Sequence, residues 1–204
     1  MKAVRVALFA SGNGSNAMAI VEKAKSLHNI EIAFVLSDRA EAPVLEKAKR
    51  ADIKTYLVER TTTRIEHEGK QLSLLKEHKV DWIFLAGYMR ILSADFLKTF
   101  SGWHRGATQV VNIHPSLLPA YPGAESIAQA YADKVECSGV TLHLVDEGVD
   151  TGQIIVQKPL ARPETISLSD WKQRFHQLEH QIYTEFLESL ALNLRPTLSF
   201  EETV

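Results

Sequence analysis

The chain has 204 residues, 45% of them hydrophobic and 24% charged, with a formal net charge of −2. That length buries a substantial core and fits one domain, 1–204, better than two small ones. The near-neutral charge gives no electrostatic pull toward nucleic acid or an anionic membrane, and the single cysteine, Cys137, excludes an internal disulfide. Cys137 has no thiol or His-Asp pattern nearby and reads as a small, partly buried residue rather than a nucleophile. No apolar run approaches the roughly 20 residues that span a bilayer. A soluble, cytoplasmic protein is the expectation.

Val4 to Ala10 is short, carries Arg5 and runs into a glycine-rich turn, so it reads as a first β-strand rather than a signal segment. Ser11-Gly12-Asn13-Gly14-Ser15-Asn16 follows, then a helix over Ala17 to Leu27. Strand, Gly/Ser/Asn turn and helix is the arrangement that receives a phosphate on free backbone N–H groups. An ordinary turn with Ser15 or Asn16 as N-cap accounts for it equally simply. The GxGxxG fingerprint and the Walker lysine are absent, which favours a monophosphate over a dinucleotide or triphosphate.

Ile30 to Leu36 and Lys54 to Val58 read as strands around a helix over Ala42 to Ala51. Successive units of this kind predict an α/β fold with a doubly wound, mostly parallel sheet. A helix from about Arg64 to His78 buries Leu72, Leu75 and Ile65, with Glu66, His67, Glu68 and Lys70 on a solvated face. Val80 to Ala86 is the most apolar strand and belongs at the sheet centre. It leads into Gly87-Tyr88-Met89-Arg90-Ile91-Leu92, which is either the wall of a pocket for a flat organic ligand or a loop packed on the core. A helix begins near Ser93, and Ser101 to Gln109 reads as a surface excursion.

Val110 to His114 brings up Asn112-Ile113-His114-Pro115-Ser116-Leu117-Leu118-Pro119, then Tyr121-Pro122-Gly123. Strand alternation points Asn112 and His114 to one side, and Pro115 holds His114 extended. A short helix spans Ala124 to Ala132. Gly139 to Val145 and Gln153 to Gln157 read as a hairpin around the acidic loop Asp146-Glu147-Gly148-Val149-Asp150-Thr151-Gly152, giving an antiparallel C-terminal part. A long amphipathic helix, Ser167 to Leu192, packs Trp171, Phe175, Leu178, Ile182, Phe186 and Leu190, with Ser167 and Asp170 as a capping-box variant. Ser199 to Val204 reads as a frayed end.

An amide, an imidazole and a carboxylate loop at one sheet edge suit acyl transfer without a covalent intermediate. His114 can move a proton or stand as an imidazolium beside an oxyanion, Asn112 can donate to that oxygen, and a carboxylate can hold the histidine or a water. Ser116 lies among prolines with no nucleophile elbow. His104, His114 and His143 lack metal-ligand spacing, so no metal is expected.

These motifs, with Gly139-Val140-Thr141-Leu142-His143, resemble the folate-dependent formyltransferases from Val4 to about Tyr183. Ser11 to Asn16 and Leu85 to Leu92 are similar to the branch that formylates glycinamide ribonucleotide in purine biosynthesis. The resemblance implies the formyltransferase fold, a Rossmann-like sheet, and a transferase using 10-formyltetrahydrofolate as formyl donor. It implies catalytic Asn112, His114 and Asp150. It implies substrate contacts at Gly14, Ser15 and Asn16 for the phosphate, Glu179 for the amine end, and His176 at a position that varies in the family. Folate contacts are implied at Arg64, Met89, Arg90, Ile91, Leu92, Asn112, Asp146, Glu147, Gly148, Val149 and Asp150. Trp103 to Gln109 is longer than the family pattern, and Thr184 stands where proline is common. Small-molecule partners, no nucleic acid or membrane, and a monomer or homodimer are expected. The alternatives are a formyltransferase acting on an amino sugar nucleotide or another amine, and a non-catalytic nucleotide-binding module. A transfer-RNA formyltransferase would carry a further basic C-terminal domain, and a formyltetrahydrofolate hydrolase an extra N-terminal one.

Overall fold

In a computed structural model, which describes residues 2–60 and 63–193, strands and helices alternate through most of the chain. The order is β1 (Val4–Phe9), α1 (Ser15–Ala24), β2 (Ile30–Ser37), α2 (Pro43–Arg50), β3 (Thr55–Leu57), α3 (Arg64–Glu77), β4 (Trp82–Leu85) and α4 (Ala94–Trp103). There follow β5 (Val110–His114), α5 (Ser126–Ala132), β6 (Cys137–Leu144), β7 (Ile154–Ala161) and α6 (Leu168–Ala191). The strands form one seven-stranded sheet, β3-β2-β1-β4-β5-β6-β7. Pairing is parallel as far as β5 and antiparallel in β5-β6-β7, the mixed α/β sheet expected. β4 takes the centre. The strand order reverses between β1 and β4, so the crevice outside their carboxyl ends is where an open α/β sheet takes its ligands.

Alternation divides the core. Val6, Leu8 and Phe84 join Ile20, Val44, Trp171 and Phe175 beneath α1, α2 and α6, whereas Ala7, Phe9, Ile83 and Leu85 join Leu75, Phe96 and Phe100 beneath α3 and α4. The apolar stripe of α6 is the one the spacing gives, with Leu178 half-buried, and it also buries Tyr183, Leu187 and Glu179. Ser167 caps it by accepting from Asp170 N–H at 3.0 Å while donating to the Asp170 carboxylate at 2.7 Å. Thr184 donates to the His180 carbonyl at 2.9 Å, and the helix runs unbroken.

Four local expectations are corrected. α1 starts at Ser15, and neither Ser15 nor Asn16 caps it: Gly14 does, with φ of 73° and no side-chain bond. A Cβ on Gly14 would collide with Val44 of α2, so the tight left-handed turn requires glycine. On α3, Ile65 is 84% exposed while His67, Glu68 and Gln71 are buried, because the polar face turns onto the polar groups of residues 88–93. α4 continues to Trp103, whose ring packs edge-on against Phe100 at 5.7 Å, so the excursion shrinks to residues 104–109. Cys137 is exposed rather than partly buried, at the start of β6 where β7, extended to Ala161, pairs with it. The expected frayed end, Ser199 to Val204, lies outside the described residues.

Tyr183 ties α6 to the central strand: its hydroxyl donates to the Leu85 carbonyl at 2.8 Å, and its ring stacks on Phe84 at 5.5 Å. Tyr183→Phe keeps the stacking and removes the hydrogen bond, which is expected to cost about 1–2 kcal/mol. Urea unfolding checks this through a lower midpoint at unchanged slope.

Candidate active site

β5 ends at the crevice with Asn112 and His114 on one side, and His114 is 4% exposed. Its Nε2 donates to the Tyr121 carbonyl at 2.8 Å, and its Nδ1 lies 3.3 Å from Asp150 Oδ2. The Pro-rich segment that supplies Tyr121 is itself fastened to the hairpin. Thr141 Oγ1 donates to the Ser116 carbonyl at 2.7 Å, and Gln157 Nε2 donates to the Leu118 carbonyl at 2.9 Å.

Asp150 arrives from the β6-β7 loop. Asp146 Oδ1 accepts from Gly148 N–H at 3.1 Å and from Thr151 Oγ1 at 2.7 Å, an Asx turn that folds the loop back. A Cβ on Gly152 would strike the Leu144 carbonyl, so the return is close-packed. Asp150 itself has φ of 55°, a left-handed conformation that Asp tolerates better than most residues. Gly123 N–H donates to its Oδ2 at 2.9 Å, and Asn112 Nδ2 stands 3.5 Å from Oδ1. The His143 imidazole above all, then Gly123 N–H and nearby His114, hold its pKa down to about 2 against the desolvation that would raise it. Asp150 is therefore a carboxylate at neutral pH.

Two clefts open on this cluster. The larger, of about 560 Å³, runs between Gly12–Asn16, Gly123 and the α6 residues His176 and Glu179, with Asn112, His114 and Asp150 at one end. No side chain caps α1, so the first N–H groups of that helix, over Ser15 and Asn16, stay open to an anion. Lys47 Nζ donates to the Asn13 carbonyl at 3.0 Å and adds positive charge to the same loop. Glu179 is 6% exposed and accepts from Asn16 Nδ2 at 3.1 Å. Burial pushes its pKa up to about 7, which the Asn16 bond only partly offsets. His176, one turn earlier, is exposed at the rim.

The second cleft is a slot of about 150 Å³ between Met89–Leu92 and Val145, Asp146, Gly148, Val149 and Asp150; Asn112 and His143 line it too. Met89 and Ile91 on one wall and Val149 on the other are 66%, 59% and 50% exposed. Apolar side chains presented this way suit a flat ligand with an apolar body. Leu92 is buried, and Glu147 is exposed away from the slot lining. Arg90 Nε donates to Asp38 Oδ2 at 2.6 Å, and Arg64 donates to Glu68 at 3.0 Å and to the Ile91 carbonyl at 2.6 Å. Among the described residues, no group of three His, Cys, Asp or Glu side chains is placed to hold a metal, and no helix is long and apolar enough to cross a membrane.

A formyl transferase family profile matches residues 4–187. The chain belongs to the formyl transferase family. A phosphoribosylglycinamide formyltransferase of Bacillus subtilis is 38% identical over 94% of this chain and 97% of its own length. Among solved structures, glycinamide ribonucleotide transformylase 1 of Geobacillus kaustophilus superposes with a TM-score of 0.85 at 39% identity, covering 93% of this chain and 99% of that one. The phosphoribosylglycinamide formyltransferase of Streptococcus pneumoniae does so at 0.83 and 38%, over 93% and 99%. These relatives set the chain in the phosphoribosylglycinamide branch of the formyl transferases.

One side chain of this formyl transferase site escaped the sequence reading. His143, read as an alternating strand residue, stands opposite Asn112 in the β5-β6 ladder, with Nε2 3.3 Å from Asn112 Nδ2 and 3.6 Å from Asp150. Only the antiparallel register brings it there. The Tyr121 carbonyl and Gly123 N–H, being backbone groups, leave no signal in residue types.

The raised pKa of Glu179 fixes a sign. Its folded value of about 7 lies above the unfolded carboxylate value, so its contribution to stability is complete below about pH 4.3 and is lost as pH rises through about 7. Ligand-free protein is expected to lose on the order of 3 kcal/mol from this group across that window. Denaturation of wild type and Glu179→Gln over a pH series checks this, the difference between the two curves isolating the Glu179 contribution.

Proposed function

We propose that the enzyme passes the formyl group of 10-formyltetrahydrofolate directly to the amine of glycinamide ribonucleotide, with Asn112, His114 and Asp150 around the reacting carbon. The observation that carries this reading is the meeting of the two clefts at Asn112 and Asp150. The substrate phosphate takes the open N–H groups over Gly14, Ser15 and Asn16, and the rest of the molecule extends past His176 and Glu179 toward His114. The folate lies between Met89–Leu92 and Asp146–Asp150, with its formyl group at the junction.

As the amine attacks, a carbon–nitrogen bond forms and the formyl oxygen takes the displaced electron pair. Asn112 Nδ2 makes only long contacts, 3.3 Å to His143 and 3.5 Å to Asp150, so it can turn a hydrogen to that oxygen. His114 in its imidazolium form places positive charge beside it, and the Asp150 carboxylate stabilises that form. Collapse of the tetrahedral intermediate breaks the bond to the folate nitrogen. The proton lost by the amine reaches that nitrogen through a water held by His114 and Asp150, and tetrahydrofolate leaves. The reading carries with it a cytoplasmic enzyme acting on small molecules as a monomer or homodimer.

A formyl-transfer assay with both substrates tests the roles. His114→Ala and Asp150→Asn are expected to lose about 10² or more in rate, as for a general acid–base group, with folding intact by circular dichroism. Unchanged turnover in His114→Ala would refute the mechanism.

A further inference from the structure

The buried polar face of α3 has no part in the proposed chemistry; His67 Nδ1 donates to the Glu59 carbonyl at 3.1 Å, and most of the face's other hydrogen bonds converge on residues 88–93. Gln71, fully buried, donates to the Tyr88 hydroxyl at 2.7 Å, and His67 Nε2 lies 3.2 Å from the same oxygen. Three residues along the helix, Glu68 accepts from Ser93 N–H at 2.9 Å and from the Ser93 hydroxyl, while also receiving Arg64 Nε at 3.0 Å. Arg64 then reaches the Ile91 carbonyl at 2.6 Å. On the opposite side, Ser11 Oγ accepts from Met89 N–H at 2.9 Å and Asp38 holds Arg90.

The pinning is at odds with what the loop would do alone. Met89 and Ile91 are mostly exposed, and a free loop would gain by turning such side chains inward onto the core. Buried polar contacts resist that collapse because breaking them strands desolvated groups: a carboxylate at Glu68, an amide at Gln71, an imidazole at His67. The row binds the segment at its start through Tyr88, in its middle through Ile91 and at its end through Ser93.

We propose that Glu68, Gln71 and His67, acting through Tyr88, Ser93 and Arg64, are positioning residues that hold the Met89–Leu92 wall open and so set affinity for the folate donor. This rests on the reading of that wall as the donor site. None of the three reaches the reacting atoms. Their loss therefore acts on donor binding, leaving the nucleotide cleft and the formyl-transfer step as they are.

Steady-state kinetics with 10-formyltetrahydrofolate and glycinamide ribonucleotide tests it on the full chain. Glu68→Ala and Gln71→Leu are each expected to raise the donor KM by about tenfold, equivalent to ~1.4 kcal/mol. The KM for glycinamide ribonucleotide and kcat at saturating donor should stay within about twofold. Glu68→Gln, which keeps an acceptor for Ser93, should recover part of the loss. A donor KM unchanged in folded Glu68→Ala would overturn the proposal, and so would a parallel fall of kcat and rise of both KM values. Ile91→Ala, which alters the wall itself, separates the two ideas. If it leaves the donor KM unchanged, the donor site lies elsewhere; if it raises the KM while Glu68→Ala does not, the clamp alone fails.

Discussion

The candidate site depends on one contact, imidazole to carboxylate, between two chain segments far apart in sequence. His114 ends a parallel strand, Asp150 sits at the turn of an antiparallel hairpin, and 3.3 Å separates the imidazole from the carboxylate. Everything around the pair serves to make that distance reproducible. Gly123 N–H and the Tyr121 carbonyl, from one proline-bounded segment, hold the carboxylate and the far ring nitrogen, while Thr141 and Gln157 fasten that segment to the hairpin. The sheet supplies rigidity and the change from parallel to antiparallel pairing supplies the approach. A carboxylate in this setting stays charged, because the His143 ring and the Gly123 N–H stabilise its anionic form against desolvation.

Most of the architecture was legible because hydrophobic periodicity reports directly on burial. The short apolar run of β1, the alternation in β6, the apolar density of β4 and the stripe of α6 each led to the right element. Strand alternation made the shared side of Asn112 and His114 legible, and an acidic loop between two strands had to return to the same edge, but the choice of Asp150 within that loop came from the family resemblance. The reading failed where polar residues pack against polar residues. His67, Glu68 and Gln71 have the composition of a solvated helix face, and only the partners at Tyr88 and Ser93, 17 to 25 positions away, make their burial tolerable. Periodicity carries no information about such partners. His143 was missed likewise, since its place depends on register, and the capping of α1 by Gly14 on the contact of a neighbouring helix.

The two clefts differ in kind. The larger cleft, beside α1 and α6, has open amides, a nearby lysine and a carboxyl whose burial favours the protonated form. The slot beside Met89–Leu92 presents apolar side chains and is framed by hydrogen-bonded backbone. Groups of the first kind replace the hydration of a phosphorylated ligand, and surfaces of the second kind shed water against a flat heterocycle. On the proposed function, the orientation of the two substrates follows from their own polarity, with the reacting centre at the boundary.

The hydroxyl of Ser11 has a place in both halves. It begins the loop that lines the larger cleft, yet it accepts the Met89 amide of the slot wall and donates to Asp38 at 2.6 Å, and Asp38 in turn anchors Arg90. The walls of both clefts are thereby parts of one hydrogen-bonded body that stands complete before any ligand arrives. The ordering entropy of that body is met during folding, so each ligand is charged only for its own immobilisation. Among ligands that enter a standing slot, residence times rather than arrival rates separate the good from the poor.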